Sequence, residues 1–320
     1  MADTEIPAVL FWFRRDLRLA DNRGFSAAVE HGLPVLPLFI FDPAITASLP
    51  ELDARISFIY DSLQVLQREL AASGGSLLVE QGEPGEVIMR LVQRYRITAV
   101  FANEDYEPVA AKRDADVAGM LKSRDIPFIR FSDHVIFKPD AVMKQDGTPY
   151  TVFTPYRNRW RTHLDEAGLE TFRVPEQLPL LKVRAPIPPL EHFGFRHAEI
   201  TPEPLNIAAI AGYGETRDYP ALDGTTRAGP HLRFGTVSIR KLVEIAASQQ
   251  PEFLNELIWR EFFIQIMYHY PRSLTGNFRS KYDGVAWRSD EADFERWCSG
   301  QTGFPMVDAG MRELNATGYM

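Results

Sequence analysis

Ala8-Val9-Leu10-Phe11-Trp12-Phe13, followed at once by Arg14-Arg15-Asp16-Leu17-Arg18, decides the fold class. Six consecutive apolar residues without polar alternation describe a strand covered on both faces, as in a parallel sheet between helical layers. The rest of the first 131 residues repeats this theme. Pro34 to Asp42 reads as a second buried strand, Ser76 to Glu80 as a third, Ile97 to Ala102 as a fourth and Ile126 to Phe131 as a fifth. Helical patterns lie between them at 24–31, 53–72, 84–95 and 108–123, the first capped by Asp21 or Asn22, the second stopped by Gly74-Gly75. Strand–helix alternation with short connections predicts an α/β domain over residues 1–131, built on a doubly wound, parallel five-stranded sheet. Ligands of such sheets sit beyond the strand C-termini. Here those ends carry Arg14-Arg15-Asp16, Asp42-Pro43, Gln81-Gly82-Glu83 and Asn103-Glu104-Asp105. There is no G-x-G-x-x-G and no Walker loop, so dinucleotide or triphosphate binding in this half lacks its usual signature.

Regularity stops at residues 132–204. Gly147-Thr148-Pro149-Tyr150 is turn chemistry, a short helix runs to about Ala167, and prolines stand at 175, 179, 186, 188, 189, 202 and 204. This stretch is expected to be a surface-hugging linker between domains. Residues 205–320 are helical throughout, an all-α second domain. In it the loop Asp223-Gly224-Thr225-Thr226-Arg227-Ala228-Gly229 offers backbone N–H groups, hydroxyls and one guanidinium, which suits a diphosphate; alternatively Arg227 is only solvated. Downstream, Leu254, Leu257, Ile258, Phe262, Ile264, Ile266 and Met267 fall on almost every side of a helix that Pro271 ends, so it is expected to be buried nearly all round. Glu256, Trp259, Arg260 and Phe263 share one face of it. Two readings fit: an internal Glu256–Arg260 ion pair beside a core tryptophan, or the wall of a ligand cavity.

Composition sets the outer bounds. A chain of 320 residues with 35 Lys+Arg against 43 Asp+Glu carries a net charge of −8, which argues against a general basic coat but leaves room for a local basic face. No apolar run is long enough to span a bilayer, and Met1–Glu5 lacks the positive region of a secretory signal. A single cysteine, Cys298, can form neither an internal disulfide nor a cysteine metal site, which fits a cytoplasmic protein. The histidines show no ligand spacing with Cys, Asp or Glu, so no metal is expected.

Five motifs in order carry a resemblance across essentially the whole chain. They are Phe11–Arg18, Gly147–Tyr156, Leu232–Ser238, Glu256–Phe262 (Glu-Leu-Ile-Trp-Arg-Glu-Phe) and Thr302–Ala309 (Thr-Gly-Phe-Pro-Met-Val-Asp-Ala). The chain resembles the photolyases and cryptochromes, most of all the class I bacterial cyclobutane pyrimidine dimer photolyases. The resemblance implies an N-terminal α/β domain, often with an antenna chromophore, and an all-helical C-terminal domain holding FAD. It implies a lyase that splits pyrimidine dimers flipped out of damaged DNA, using an electron from light-excited reduced FAD. A monomer is expected.

Residue by residue, the resemblance makes Tyr213, Thr225, Thr226, Arg227, Ala228 and Gly229 flavin diphosphate and ribityl contacts. Ala228-Gly229 stand where the family usually has Leu-Ser, so one hydroxyl contact is lost. Glu256 and Trp259 match the carboxylate and indole that meet the damaged bases, Glu256 and Arg260 flavin-side contacts, and Arg217 a phosphate-gripping arginine. Trp287 matches the outer tryptophan of the relay that reduces the flavin; otherwise it is a partly exposed packing residue. Glu107 aligns with an antenna-contact carboxylate, the antenna being a folate, a deazaflavin, a flavin or nothing; otherwise it is a helix N-terminal acid. Family members continue past Met320 with further flavin contacts and the inner tryptophans, so the FAD-binding domain is expected to be incomplete here. Two rival expectations remain: a cryptochrome-like photoreceptor that signals through a partner, and a chain unable to hold FAD.

Overall fold

The computed structural model describes residues 6–200 and 204–319; Met1–Glu5, Pro202 and Met320 lie outside them. Five parallel strands form one sheet in the order β3-β2-β1-β4-β5. They are β1 Ala8–Phe13, β2 Val35–Phe41, β3 Leu78–Gln81, β4 Ile97–Asn103 and β5 Phe128–Phe131. The helices of this half are α1 Arg23–Glu30, α2 Pro43–Thr46, α3 Ala54–Ala72, α4 Pro84–Arg94 and α5 Pro108–Lys122. Alternation along β1 sorts the layers. Val9, Phe11 and Phe13 pack with Phe25 and Ala28 of α1 and Leu63, Leu66 and Leu70 of α3. Ala8, Leu10 and Trp12 pack with Ile88 and Leu91 of α4 and Val117 and Leu121 of α5. The doubly wound sheet is therefore present. Pro37 is tolerated inside β2 because the ladder to β3 begins only at Leu38. Of the two candidate caps, Asn22 makes the bond, its side chain accepting from Phe25 N.

The linker contains more helix than expected: α6 runs Phe153–Ala167. Pro155 falls in its first turn, where the missing N–H has no helical partner to lose. The second half holds α7 Tyr213–Thr216, α8 Ala228–Phe234, α9 Ile239–Gln249, α10 Pro251–His269, α11 Glu291–Cys298 and α12 Pro305–Thr317. Its core joins Trp160 of α6, Leu242 and Val243 of α9, and Phe253, Leu257, Ile258 and Phe262 of α10. The expectation that α10 is buried nearly all round is corrected. Phe263 is 61% exposed, and Ile264, Ile266 and Met267 are only half-buried. Helices α9, α6 and α7 all pack against it.

A buried ionic knot ties the halves together. Asp133 accepts from Arg18 at 2.7 Å, from Arg240 of α9 at 2.7 Å and from the Arg23 N–H at 3.1 Å. Nearby, Leu17 N donates to Phe234 O (3.0 Å) and Arg18 to Gly235 O (3.1 Å). Gly235 has φ 65°, and a Cβ there would strike the Arg15 and Asp16 backbone, so only glycine fits.

Candidate active site

Helix α10 carries Glu256, Trp259 and Arg260, all three partly buried. Glu256 bonds Arg217, which follows α7; the side chains are 36% and 35% exposed. The Arg217 guanidinium also lies 5.4 Å from the Tyr213 ring centre, and Glu256 holds that guanidinium firmly protonated. Trp259 stacks on Phe153 of α6, the rings 3.5 Å apart and 6° from parallel, and Phe263 stands nearly parallel to it at 5.5 Å. Arg260 turns away from Glu256. It donates to His134 O (2.6 Å) and Leu232 O of α8 (3.5 Å), and burial pulls it down to about 10. The internal Glu256–Arg260 pair is thus not formed; each side chain has its own partner.

The Thr-rich loop opens α8. Thr226 is buried and its Oγ1 accepts from Ala228 N (3.3 Å), while Arg227 bonds Asp223 (3.1 Å) and takes a left-handed backbone, φ 53°. Such a conformation is strained for a non-glycine residue and gathers at ligand sites. Gly229 lies in the first turn of α8, where backbone N–H groups have no helical acceptor. Tyr319 donates its hydroxyl to Thr225 Oγ1 at 3.2 Å, and the Arg227 guanidinium sits 5.6 Å from its ring centre. The Tyr213 phenol is pushed up by burial and by the neighbouring Glu256. Two hydroxyls, a guanidinium and helix-start N–H groups are a donor set that fits a diphosphate. Trp287 lies apart, 75% exposed in the connection before α11.

One buried residue escaped sequence reasoning. Glu261, on the opposite side of α10, accepts from Ile136 N, from Phe137 N (3.5 Å) and from Trp160 Nε1 (2.7 Å). A carboxylate four residues after Leu257 and three after Ile258, and so on their face of an apolar helix, was the available signal, since such a group needs donors once buried.

A cavity of about 520 Å³ lies beyond the strand C-termini, where the topology places ligands. Phe39, Phe41, Ile45, Ile56 and Ile59 form its apolar wall. The Trp12 ring centre lies 4.8 Å from the Arg14 guanidinium and 5.0 Å from that of Arg113. Arg113 Nε is buried without a hydrogen-bond partner, and burial lowers the pKa of that group. Glu107 makes no cap bond to α5; its carboxylate instead bridges Arg15 (2.7 Å) and Arg233 of α8 (2.5 Å) at the cavity edge.

Among the described residues no group of three or more His, Cys, Asp or Glu could hold a metal, and no helix is long and apolar enough to cross a membrane.

Comparisons with known proteins bear on both halves. The family model for DNA photolyase matches residues 9–177, and that for the FAD binding domain of DNA photolyase matches residues 253–320. A deoxyribodipyrimidine photo-lyase of Synechococcus sp. is 35% identical over 98% of this chain and 71% of its own length. That of Halobacterium salinarum is 32% identical over 97% of this chain and 72% of its own. Among solved structures, a bacterial class III photolyase from Agrobacterium tumefaciens superposes with a TM-score of 0.86 at 28% identity, covering 99% of this chain and 70% of that one. An archaeal photolyase from Sulfolobus tokodaii, solved with two FAD molecules, gives 0.78 at 29% identity, covering 98% and 72%. With sequence, fold and both family models in agreement, the chain belongs to the photolyase/cryptochrome family.

Proposed function

We propose that the protein is a deoxyribodipyrimidine photo-lyase of the cyclobutane-dimer type, acting as a cytoplasmic monomer on damaged DNA with reduced FAD. The observation that carries this reading is the division of labour along one turn of α10. Glu256 holds Arg217 and Trp259 lies flat on Phe153, while Arg260 reaches the helix that the Thr-rich loop opens. FAD, when bound and reduced, supplies the photoexcited electron. The chain's residues do the rest. Thr225, Thr226, Arg227 and the start of α8 hold the diphosphate, and Arg217 grips a DNA phosphate, which gives affinity without sequence preference. Trp259, held flat by Phe153, offers an aromatic surface to a base pair of saturated rings, and Glu256 accepts from a pyrimidine edge. The expected result is loss of dimers from an irradiated oligonucleotide when the protein is supplied with FAD under reducing conditions. Unchanged dimers beside ordinary flavin photochemistry would point to a signalling photoreceptor instead.

The cavity over the sheet is the place for an antenna chromophore, a folate or a deazaflavin. Its apolar wall suits a planar ring, and the unsatisfied Arg113 Nε suits an anionic substituent. Ala44→Trp would fill the space from an exposed position. The variant should lose any second chromophore that copurifies, seen by its absorbance, while flavin content and dimer repair at flavin wavelengths stay unchanged.

A further inference from the structure

Two residues assigned to different parts of the DNA lesion are bonded to each other. Arg217, the phosphate contact, donates to Glu256, the base contact, 39 residues further along the chain. Arg217 Nε also faces the exposed carboxylate of Asp218 at 3.4 Å, and its guanidinium flanks the Tyr213 ring. A guanidinium binds a carboxylate and a phosphate through the same forked donors, so the two acceptors compete for one group. Both side chains are about a third exposed, so the bond is open to exchange. We infer that Glu256 is an internal substitute for a DNA phosphate: it masks Arg217 until a flipped pyrimidine takes the carboxylate, and so suppresses binding to undamaged DNA. This rests on the photolyase reading above. The exchange works as follows. On undamaged DNA no base enters, Glu256 keeps Arg217, and the backbone gains little from that arginine. When a dimer is presented, its N–H groups occupy the Glu256 carboxylate and the guanidinium turns to the phosphate. The pair thus converts base recognition into backbone grip.

A double-mutant cycle on undamaged and dimer-containing oligonucleotides tests this, read by equilibrium binding in the dark. Glu256→Gln should bind undamaged DNA about two- to fivefold more tightly, the range open to a partly exposed ion pair, and should lose dimer preference. Arg217→Gln in the wild-type background should weaken dimer binding by a larger factor than undamaged binding, because the arginine is masked on undamaged DNA. In the Glu256→Gln background the same arginine change should weaken undamaged binding and flatten its salt dependence by about one phosphate contact. Equal tightening by Glu256→Gln with and without Arg217 would mean that only bulk charge repulsion was relieved, and would overturn masking, as would no tightening at all. A wild-type protein without dimer preference refutes the photolyase reading instead, and the undamaged-DNA arm still decides on masking.

Discussion

Asp133→Ala is expected to cost about 3–5 kcal/mol of unfolding free energy, the range for stripping one partner from a buried charge network. Asp133 is fully buried, and its two oxygens answer Arg18 from the loop after β1 and Arg240 from α9. Removing it leaves two guanidinium groups facing each other in a dry interface, with only Asp21 and backbone carbonyls to divide. Because the arginines come from different halves, urea unfolding of the variant should lose its single transition and separate into two. Asp133→Asn keeps one acceptor oxygen and should cost less. Replacing Arg18, Asp133 and Arg240 together by apolar residues of similar volume should recover much of the loss, since such triads add little net stability when removed whole. The pH sign follows from the carboxyl. Burial opposes its charge, but Arg18 and Arg240 outweigh burial and hold it well below the usual carboxylate range. Its contribution is present above the ordinary aspartate pKa and is lost as pH falls below it. Retention of one sharp transition in Asp133→Ala would contradict the role of the knot.

How much of this was legible beforehand depends on the range of the interaction. The sheet was readable because runs such as Ala8–Phe13 state their double-sided burial locally, and the charged ends after β1 and β4 marked the cavity mouth. Helix α6 was undercounted because Pro155 reads as a breaker until its place in the first turn is known. The exposure of Phe263 was not readable, because the count of apolar residues on α10 says nothing of which sides find neighbours. Pairing choices were further out of reach. Glu256 and Arg260 are at ideal helical spacing for an ion pair, yet Glu256 takes Arg217 and Arg260 takes two carbonyls, choices set by α7 and α8. Likewise Glu107 stands where a helix-start acid belongs, and only the packing of α8 against the sheet turns it into a bridge between Arg15 and Arg233.

Glu261→Gln is expected to abolish a pH dependence of stability worth about 3 kcal/mol between pH 5 and 8, a size that follows from the shift at about 1.4 kcal/mol per pH unit. Burial pushes the carboxyl from 4.5 up to about 7, against the pull of its three donors and Arg260. A raised folded-state pKa means that the contribution is complete below about 4.5 and is lost as pH climbs through about 7. This is opposite in direction to Asp133. Protonation has room to occur because the Phe137 contact, at 3.5 Å, is the weakest of the three and can be given up. Two histidines need separating from this effect. His134 is fully buried and burial lowers it to about 3, so it stays neutral throughout the window. His197, raised by the Ala198 carbonyl and Asp61, adds a slope of the same sign on the surface. The comparison of wild type with Glu261→Gln cancels His197, so the difference in denaturation free energy at pH 5 and pH 8 reports Glu261 alone. Parallel slopes in the two proteins would show that the carboxyl is ionised across the range.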